Sequence, residues 1–192
     1  TPKKYVKTAP LGNIFSRLST QKNNYMPKEL EILINPHPTL RKKSAPVDLR
    51  KLKDKEFQKF LADLEETMLK KDGAGLAAPQ VGYNIRVVVI ADGKKNIFMI
   101  NPQITKKSWA REIEEEGCLS VLNDQGEIIY APVERHKKIN CLYFDKQGNK
   151  QKLAVEKLLA RVIQHEVDHL DGILFLDRLK DFKAKPKKAQ KK

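Results

Sequence analysis

The stretch from Gln164 to Leu170 reads Gln-His-Glu-Val-Asp-His-Leu and constrains this chain more than any other. Its two histidines, His165 and His169, are four residues apart. On a helix they project from one face, and their imidazoles can meet at one metal ion. Glu166 then holds a carboxylate beside the same point. Leu158, Leu159, Val162, Ile163 and Leu170 keep helical spacing around the pair, which predicts a helix over Val155–Leu170 ended by Gly172. Two imidazoles and a carboxylate on an apolar helix are costly without partners, and a metal removes that cost. The plainer reading is a pair of ordinary hydrogen-bonded helical histidines.

A metal held by two histidines needs a third protein ligand, and a catalytic site keeps one position open. Helical zinc-protease patterns place that ligand downstream. This chain has Phe175 where the extended pattern needs His, and Glu166 is its last glutamate. Asp171 follows the motif directly, and Asp177 and Asp181 sit in the charged end. Cys118, between Gly117 and Leu119 in a segment read as turn-like, is the better candidate, because one thiolate and two imidazoles make a tetrahedral set with room for water. The other reading of Cys118 is a buried free thiol. Cys141 alternates within a predicted strand and reads as structural.

With 192 residues, 40% of them hydrophobic, the chain can bury one core. Two cysteines make no disulfide framework, which points to a reducing compartment. No apolar run approaches the ~20 residues of a membrane span, and no signal-peptide core is visible. The expectation is a soluble, cytoplasmic protein of bacterial type. A net charge of +14, concentrated at the two ends, favours polyanionic partners. Residues 1–28 contain no acid, and read as a basic mobile extension or, alternatively, the remnant of an organelle-targeting leader. Residues 180–192 hold seven lysines and one acid and read as a solvated tail. Between them, 29–179 reads as one domain.

Along that domain, Glu31–Pro36 reads as a strand or extended segment. Leu49–Lys71 reads as a first long helix, its apolar stripe running from Leu52 to Leu69. Arg86–Ala91 and Asn96–Ile100 read as strands, the second closed by Asn101-Pro102. Ile104–Glu116 is strand and loop, and Asn123–Gly126 is a loop. Glu127–Tyr130, Lys138–Asp145 and Lys150–Val155 read as strands, and Ile173–Leu176 as an extended run. The fold class expected is α+β: a single domain of antiparallel strands packed around a central metal-binding helix, with a first long helix nearer the N-terminus.

Three segments now stand in order: Gly73-Ala-Gly-Leu-Ala-Ala-Pro-Gln80, Glu116-Gly-Cys-Leu-Ser120 and Gln164–Leu170. Together they resemble the peptide deformylases, with weaker similarity over roughly residues 29 to 180. The resemblance implies removal of the formyl group from the N-terminal formylmethionine of nascent polypeptides. It implies a metal on Cys118, His165 and His169, commonly Fe²⁺, with Zn²⁺, Ni²⁺ or Co²⁺ able to replace it. The same resemblance implies that hydroxide supplied by the metal would attack the formyl carbon, with Glu166 as general base. By the same resemblance, the Gln80 side chain and the Leu119 N–H would receive the oxyanion. The peptide adds as a strand against Gly73, Ala74, Gly75, Leu76, Glu116 and Gly117, and a pocket partly lined by Val162 takes the methionine.

Some positions depart from the family pattern. Leu122 stands where the family places proline, and Leu122–Arg135 reads as a lengthened loop, with Gln125 and Tyr130 both open as peptide contacts. Arg135 reads as structural, and Arg161, at a position commonly apolar, as turned away from the pocket. The basic tail is expected to dock on the ribosome, and the chain to be a monomer without membrane contact. Rival readings are a zinc peptidase, which would not need Cys118, a basic RNA-binding protein, which would leave the three ligands unexplained, and a family member altered in its acyl substrate.

Overall fold

Val87–Ile90 is apolar at every position and buried at every position. A strand with only one buried face would alternate, so both faces of this one must be covered. The computed structural model, which describes residues 25–93 and 95–179, shows what covers them. Val87 and Val89 join a core with Phe60, Leu61, Leu64 and Met68 of the first helix. Val88 and Ile90 join a second core with Ala160, Ile163, Val167 and Leu170 of the second helix. Each such side chain contributes roughly 1.5–3 kcal/mol when fully buried.

The sheet between the helices is antiparallel, in the order β1 (Gly75–Ala77), β2 (Val87–Ile90), β3 (Ile97–Lys107), β6 (Lys138–Phe144), β7 (Lys150–Glu156). A separate hairpin pairs β4 (Arg111–Leu122) with β5 (Ile128–His136). The helices are α1 (Lys55–Lys70) and α2 (Lys157–Leu170). This is the expected α+β domain, with α2 as its central helix.

Several elements differ from the sequence reading, each for a local reason. The first helix begins at Lys55, because Leu49–Lys53 forms a separate 3-10 turn capped by the Asp48 carboxylate on Arg50 N. Asn101-Pro102 does not end β3. Asn101 takes φ 52°, which Asn tolerates, and its amide bonds both backbone groups of Val47, at 2.8 and 2.9 Å. Glu31–Pro36 is extended but forms no strand; Leu33 N donates to Gln80 O and Asn35 N to Ser120 O. Lys150–Glu156 runs two residues into the predicted helix, so α2 starts at Lys157. Phe175–Arg178 is a 3-10 turn, not an extended run.

The segment read as a lengthened loop is the β4–β5 hairpin, turning at Asn123–Gly126. Tyr25 and Lys28, assigned by sequence to a mobile extension, are tied to α1 through the Asp63 carboxylate. The remainder of that extension and the lysine tail lie outside the described residues.

Candidate active site

Cys118 lies in β4 rather than in a turn, but where the strand bulges. Gly117 pairs with Tyr130 and Leu122 with Ile128. Five steps on β4 therefore face two on β5, and residues 118–121 have no cross-strand partner among the described residues. The bulge turns Cys118 towards α2. Its Sγ lies 3.2 Å from His169 Nε2. One donor atom each from Cys118, His165 and His169 lies within 4.8 Å of the others.

These residues fit a metal ion. Bonds of about 2.0–2.3 Å at tetrahedral angles place ligand atoms roughly 3.5 Å apart. Burial pushes the proton off His169, holding it well below the usual imidazole range and in the neutral form a ligand needs. At His165 burial opposes protonation too, but hydrogen bonds to Cys118 and Glu116 prevail and draw its pKa up to about 10.

Glu116 performs a task not assigned to it from sequence. Its carboxylate is buried and accepts from His165 Nδ1 at 3.0 Å, fixing the ring so that Nε2 faces the cluster. Arg135 grips both its oxygens at 2.9 Å, and Arg161 donates at 2.7 Å. Burial raises the carboxyl pKa, but His165 and Arg135 outweigh burial and hold it at about 2. Arg135 also reaches Asp168, which Arg178 holds from outside at 2.7 Å. Arg135 is thus structural, as read. Arg161 is not turned away. It lines the cleft, pairs with Glu116 and Glu114, and donates to the carbonyls of Val133 and Glu112.

Glu166 is the opposite case. It is buried, and its Oε2 has no hydrogen-bond partner among the described residues. Burial is the main cause that lifts its pKa to about 7. Gln80 is held on both sides: Oε1 accepts from Ala77 N at 2.8 Å, and Nε2 donates to Ser120 Oγ at 3.2 Å and faces Cys118 Sγ at 3.6 Å.

A cleft of about 310 Å³ opens onto this cluster. Of the residues expected to hold a peptide, Gly73, Ala74, Gly75, Glu116, Gly117 and Val162 line it. Gln80, Leu119 and Glu166 line it too. Leu76 does not; its side chain is fully buried in the core beside α1. β1 is an edge of its sheet and β4 pairs only with β5, so the cleft lies between two strand edges. Tyr130, left open by sequence, lines the cleft, and Gln125 does not. Leu158, Ile128 and Glu115 line it unforeseen; Leu158 shared the helical apolar spacing, yet faces the mouth and is 66% exposed.

The family model for polypeptide deformylase matches residues 29–185. The peptide deformylase of Pseudothermotoga lettingae is 44% identical over 140 residues, 73% of this chain and 77% of that one. That of Nitrosococcus oceani is 42% identical over 168 residues, 85% and 95% of the two chains. Among solved structures, the peptide deformylase of Thermotoga maritima superposes with a TM-score of 0.73 at 38% identity, covering 79% of this chain and 98% of that one. A Met-Ala-Ser-bound class I type b peptide deformylase from Acinetobacter baumannii superposes at 0.74 and 32% identity, covering 80% and 100%. A cysteine sulfur and two imidazoles gathered beside a buried carboxylate, in a chain this similar to those enzymes, place it in one group: it belongs to the polypeptide deformylase family, metal-dependent hydrolases that remove the N-formyl group from new polypeptides.

Proposed function

We propose that Cys118, His165 and His169 hold one Fe²⁺, with Zn²⁺, Ni²⁺ or Co²⁺ able to replace it, and that Glu166 is the general base of deformylation. The observation that carries this reading is the pairing of a three-donor cluster with an unpartnered buried carboxylate oxygen, Glu166 Oε2. When bound, the ion supplies Lewis acidity that makes water a nucleophile near neutral pH. Glu166 Oε2 takes the proton of the attacking water and returns it to the leaving amine nitrogen, so formate and a free N-terminus result. Gln80 Nε2–H and the Leu119 N–H face the developing oxyanion; the Ala77 bond that fixes Gln80 Oε1 aims the amide for this.

The substrate lies as an added strand between β1 and β4, contacting Gly73–Gly75 on one side and Glu116–Gly117 on the other. Leu76 contributes backbone only. The methionine enters beside Val162, and the Met-Ala-Ser of the Acinetobacter baumannii relative supports this class of ligand.

Residues 29–179 form the catalytic unit, flanked by the basic extension 1–28, whose last residues rest on α1, and the lysine-rich tail 180–192. The tail is drawn electrostatically to ribosomal RNA. The enzyme works as a cytoplasmic monomer. No helix among the described residues is long and apolar enough to cross a membrane.

The test is formate release from formyl-Met-Ala-Ser by protein purified without oxygen and reloaded with Fe²⁺, Zn²⁺, Ni²⁺ or Co²⁺ in turn. Fe²⁺ protein is expected to turn over fastest, at one ion per chain. Cys118→Ser is expected to lose the ion under dialysis. Full activity in that variant, or in metal-free wild type, would sink the reading.

A further inference from the structure

The chain has one tryptophan, Trp109, and it is 100% exposed on the turn Ser108–Ala110 that connects β3 to β4. A large apolar ring in water is unfavourable, and loose tips usually fold such rings back. This tip cannot, because it is pinned on both sides of the ring. Ser108 N donates to Lys138 O at 2.9 Å, and Lys137 N to Ala110 O at 3.0 Å. Lys138 N donates to Ser108 Oγ at 3.1 Å, and His136 Nδ1–H to Ser108 O at 2.7 Å. The backbone that carries the ring is therefore held on both sides, so less order has to be imposed on binding than at an unpinned tip.

Cations surround it. Lys106, Lys107 and Arg111 flank the tip, and Lys137 and Lys138 sit on the adjoining β5–β6 turn. Arg111, Lys137 and Lys138 pair with Glu134, Glu112 and Glu156. Lys106 and Lys107 are in no ion pair among the described residues. Lys107 and Arg111 also line a polar hollow of about 520 Å³, which Arg86 and Arg178 enter, paired with Asp171 and Asp168. The hollow lies against Gln164, Asp168 and Asp171, whereas the catalytic cleft uses Val162, His165 and Glu166. The two openings therefore flank different faces of α2.

We propose that this turn is an RNA-docking element. An unstacked base of a single-stranded or looped RNA stacks on Trp109, and Lys106, Lys107 and Arg111 contact the flanking phosphates. A membrane surface fits less well, since the residues on either side of Trp109 in the turn, Ser108 and Ala110, are small and add no bulky apolar side chain to insert. A protein partner fits less well too, because a tryptophan hot spot sits among other apolar residues rather than lysines. The element leaves the catalytic cleft open, and the proposal does not depend on the reading of that cleft.

A single tryptophan makes the test direct. The full-length, metal-loaded protein is titrated with an oligouridine of about 16 nucleotides, the upper end of site sizes per binding module, while tryptophan emission is followed. Saturable quenching is expected, weakening as salt rises. With labelled RNA, Trp109→Ala is expected to bind about tenfold to a hundredfold more weakly, and Trp109→Phe to recover most of the affinity. Lys106→Glu with Lys107→Glu is expected to lower the salt slope by about 2. All three variants should deformylate formyl-Met-Ala-Ser at the wild-type rate. RNA binding without any change in emission would overturn the proposal. So would no binding at all, or an emission change with phosphatidylglycerol vesicles and none with RNA.

Discussion

Glu116 and Glu166 are the same residue type, both buried, and both adjoin His165. Their carboxyl groups behave in opposite ways. Glu116 has two guanidinium groups and an imidazole around it and is held at about 2. Glu166 has an oxygen with no partner among the described residues and is lifted to about 7. Burial raises both, so burial does not separate them; the cations do. A carboxylate locked by arginines cannot exchange protons near neutral pH, but it can fix a ring. A carboxylate left short of partners is poor at holding geometry and well placed to carry a proton.

The comparison breaks most sharply at Glu166. Glu166→Gln keeps shape and removes the proton acceptor. Formate release at saturating formyl-Met-Ala-Ser is expected to fall about 10²–10⁴-fold, with bound metal unchanged at one ion per chain. A fall smaller than tenfold would give the proton to another group.

Glu116→Gln tests the other side. The depressed carboxyl of Glu116 contributes stability that is fully present above its unfolded value of 4.5 and is lost as pH falls through about 2. Wild type should therefore exceed Glu116→Gln by about 3 kcal/mol at neutral pH, much of it from leaving Arg135 and Arg161 less compensated. Urea unfolding of the two metal-free chains should show this gap closing between pH 4.5 and pH 2. A gap that stays constant with pH would mean that the charge of Glu116 is not what the arginines hold. Metal affinity should also drop about 10–100-fold, since His165 loses its orienting acceptor.

Much of this was legible beforehand, and what was hidden has a physical reason. The His165–His169 spacing and the apolar run Val87–Ile90 are local signals, and both led to the right element. The Glu116–Arg135 and Arg135–Asp168 contacts join residues 19 and 33 apart. No periodicity marks such pairs, so Glu116 was read as a backbone contact and Arg161 as turned away. The sequence reads Ile104–Glu116 as strand and loop and so catches only the first half of β4, without its limits; among the described residues β4 pairs with β5 alone and buries little of that acidic half, which leaves no alternation to mark it. Leu158 misled in the other direction. Helical spacing tells which residues share a face, and not whether that face meets a core or a cleft.

Gly75 sharpens the contrast at the next size of effect. A Cβ there would lie 2.7 Å from Glu166 Oε1 and 2.9 Å from its Cδ and Cγ. The whole end of the side chain would have to turn, with a buried strand behind it. Gly75→Ala is therefore expected to cost about 10²-fold in turnover, as a displacement near 1 Å does, with metal content unchanged. Gly117→Ala is the comparison: its Cβ would meet Tyr130 Cε1 at 2.6 Å and Ile128 Cγ2 at 2.9 Å, which are side chains of the cleft wall, the first of them 62% exposed and able to swing outwards, and it would not meet Glu166. Equal losses in the two variants would show that the cleft walls matter, rather than the placement of Glu166.

The smallest expected effect lies at the outer end of the arginine network. Arg178 holds Asp168 from outside at 2.7 Å, and its side chain is 44% exposed. Asp168 keeps Arg135 without it. Solvent screens the outer pair, so Arg178→Ala should cost below about 1 kcal/mol in urea unfolding and leave turnover and metal content at wild-type levels. If it cost as much as Glu116→Gln, the buried and exposed arginines would be acting as one unit. The rigid side of the site would then extend from His165 to the protein surface, rather than end at Arg135.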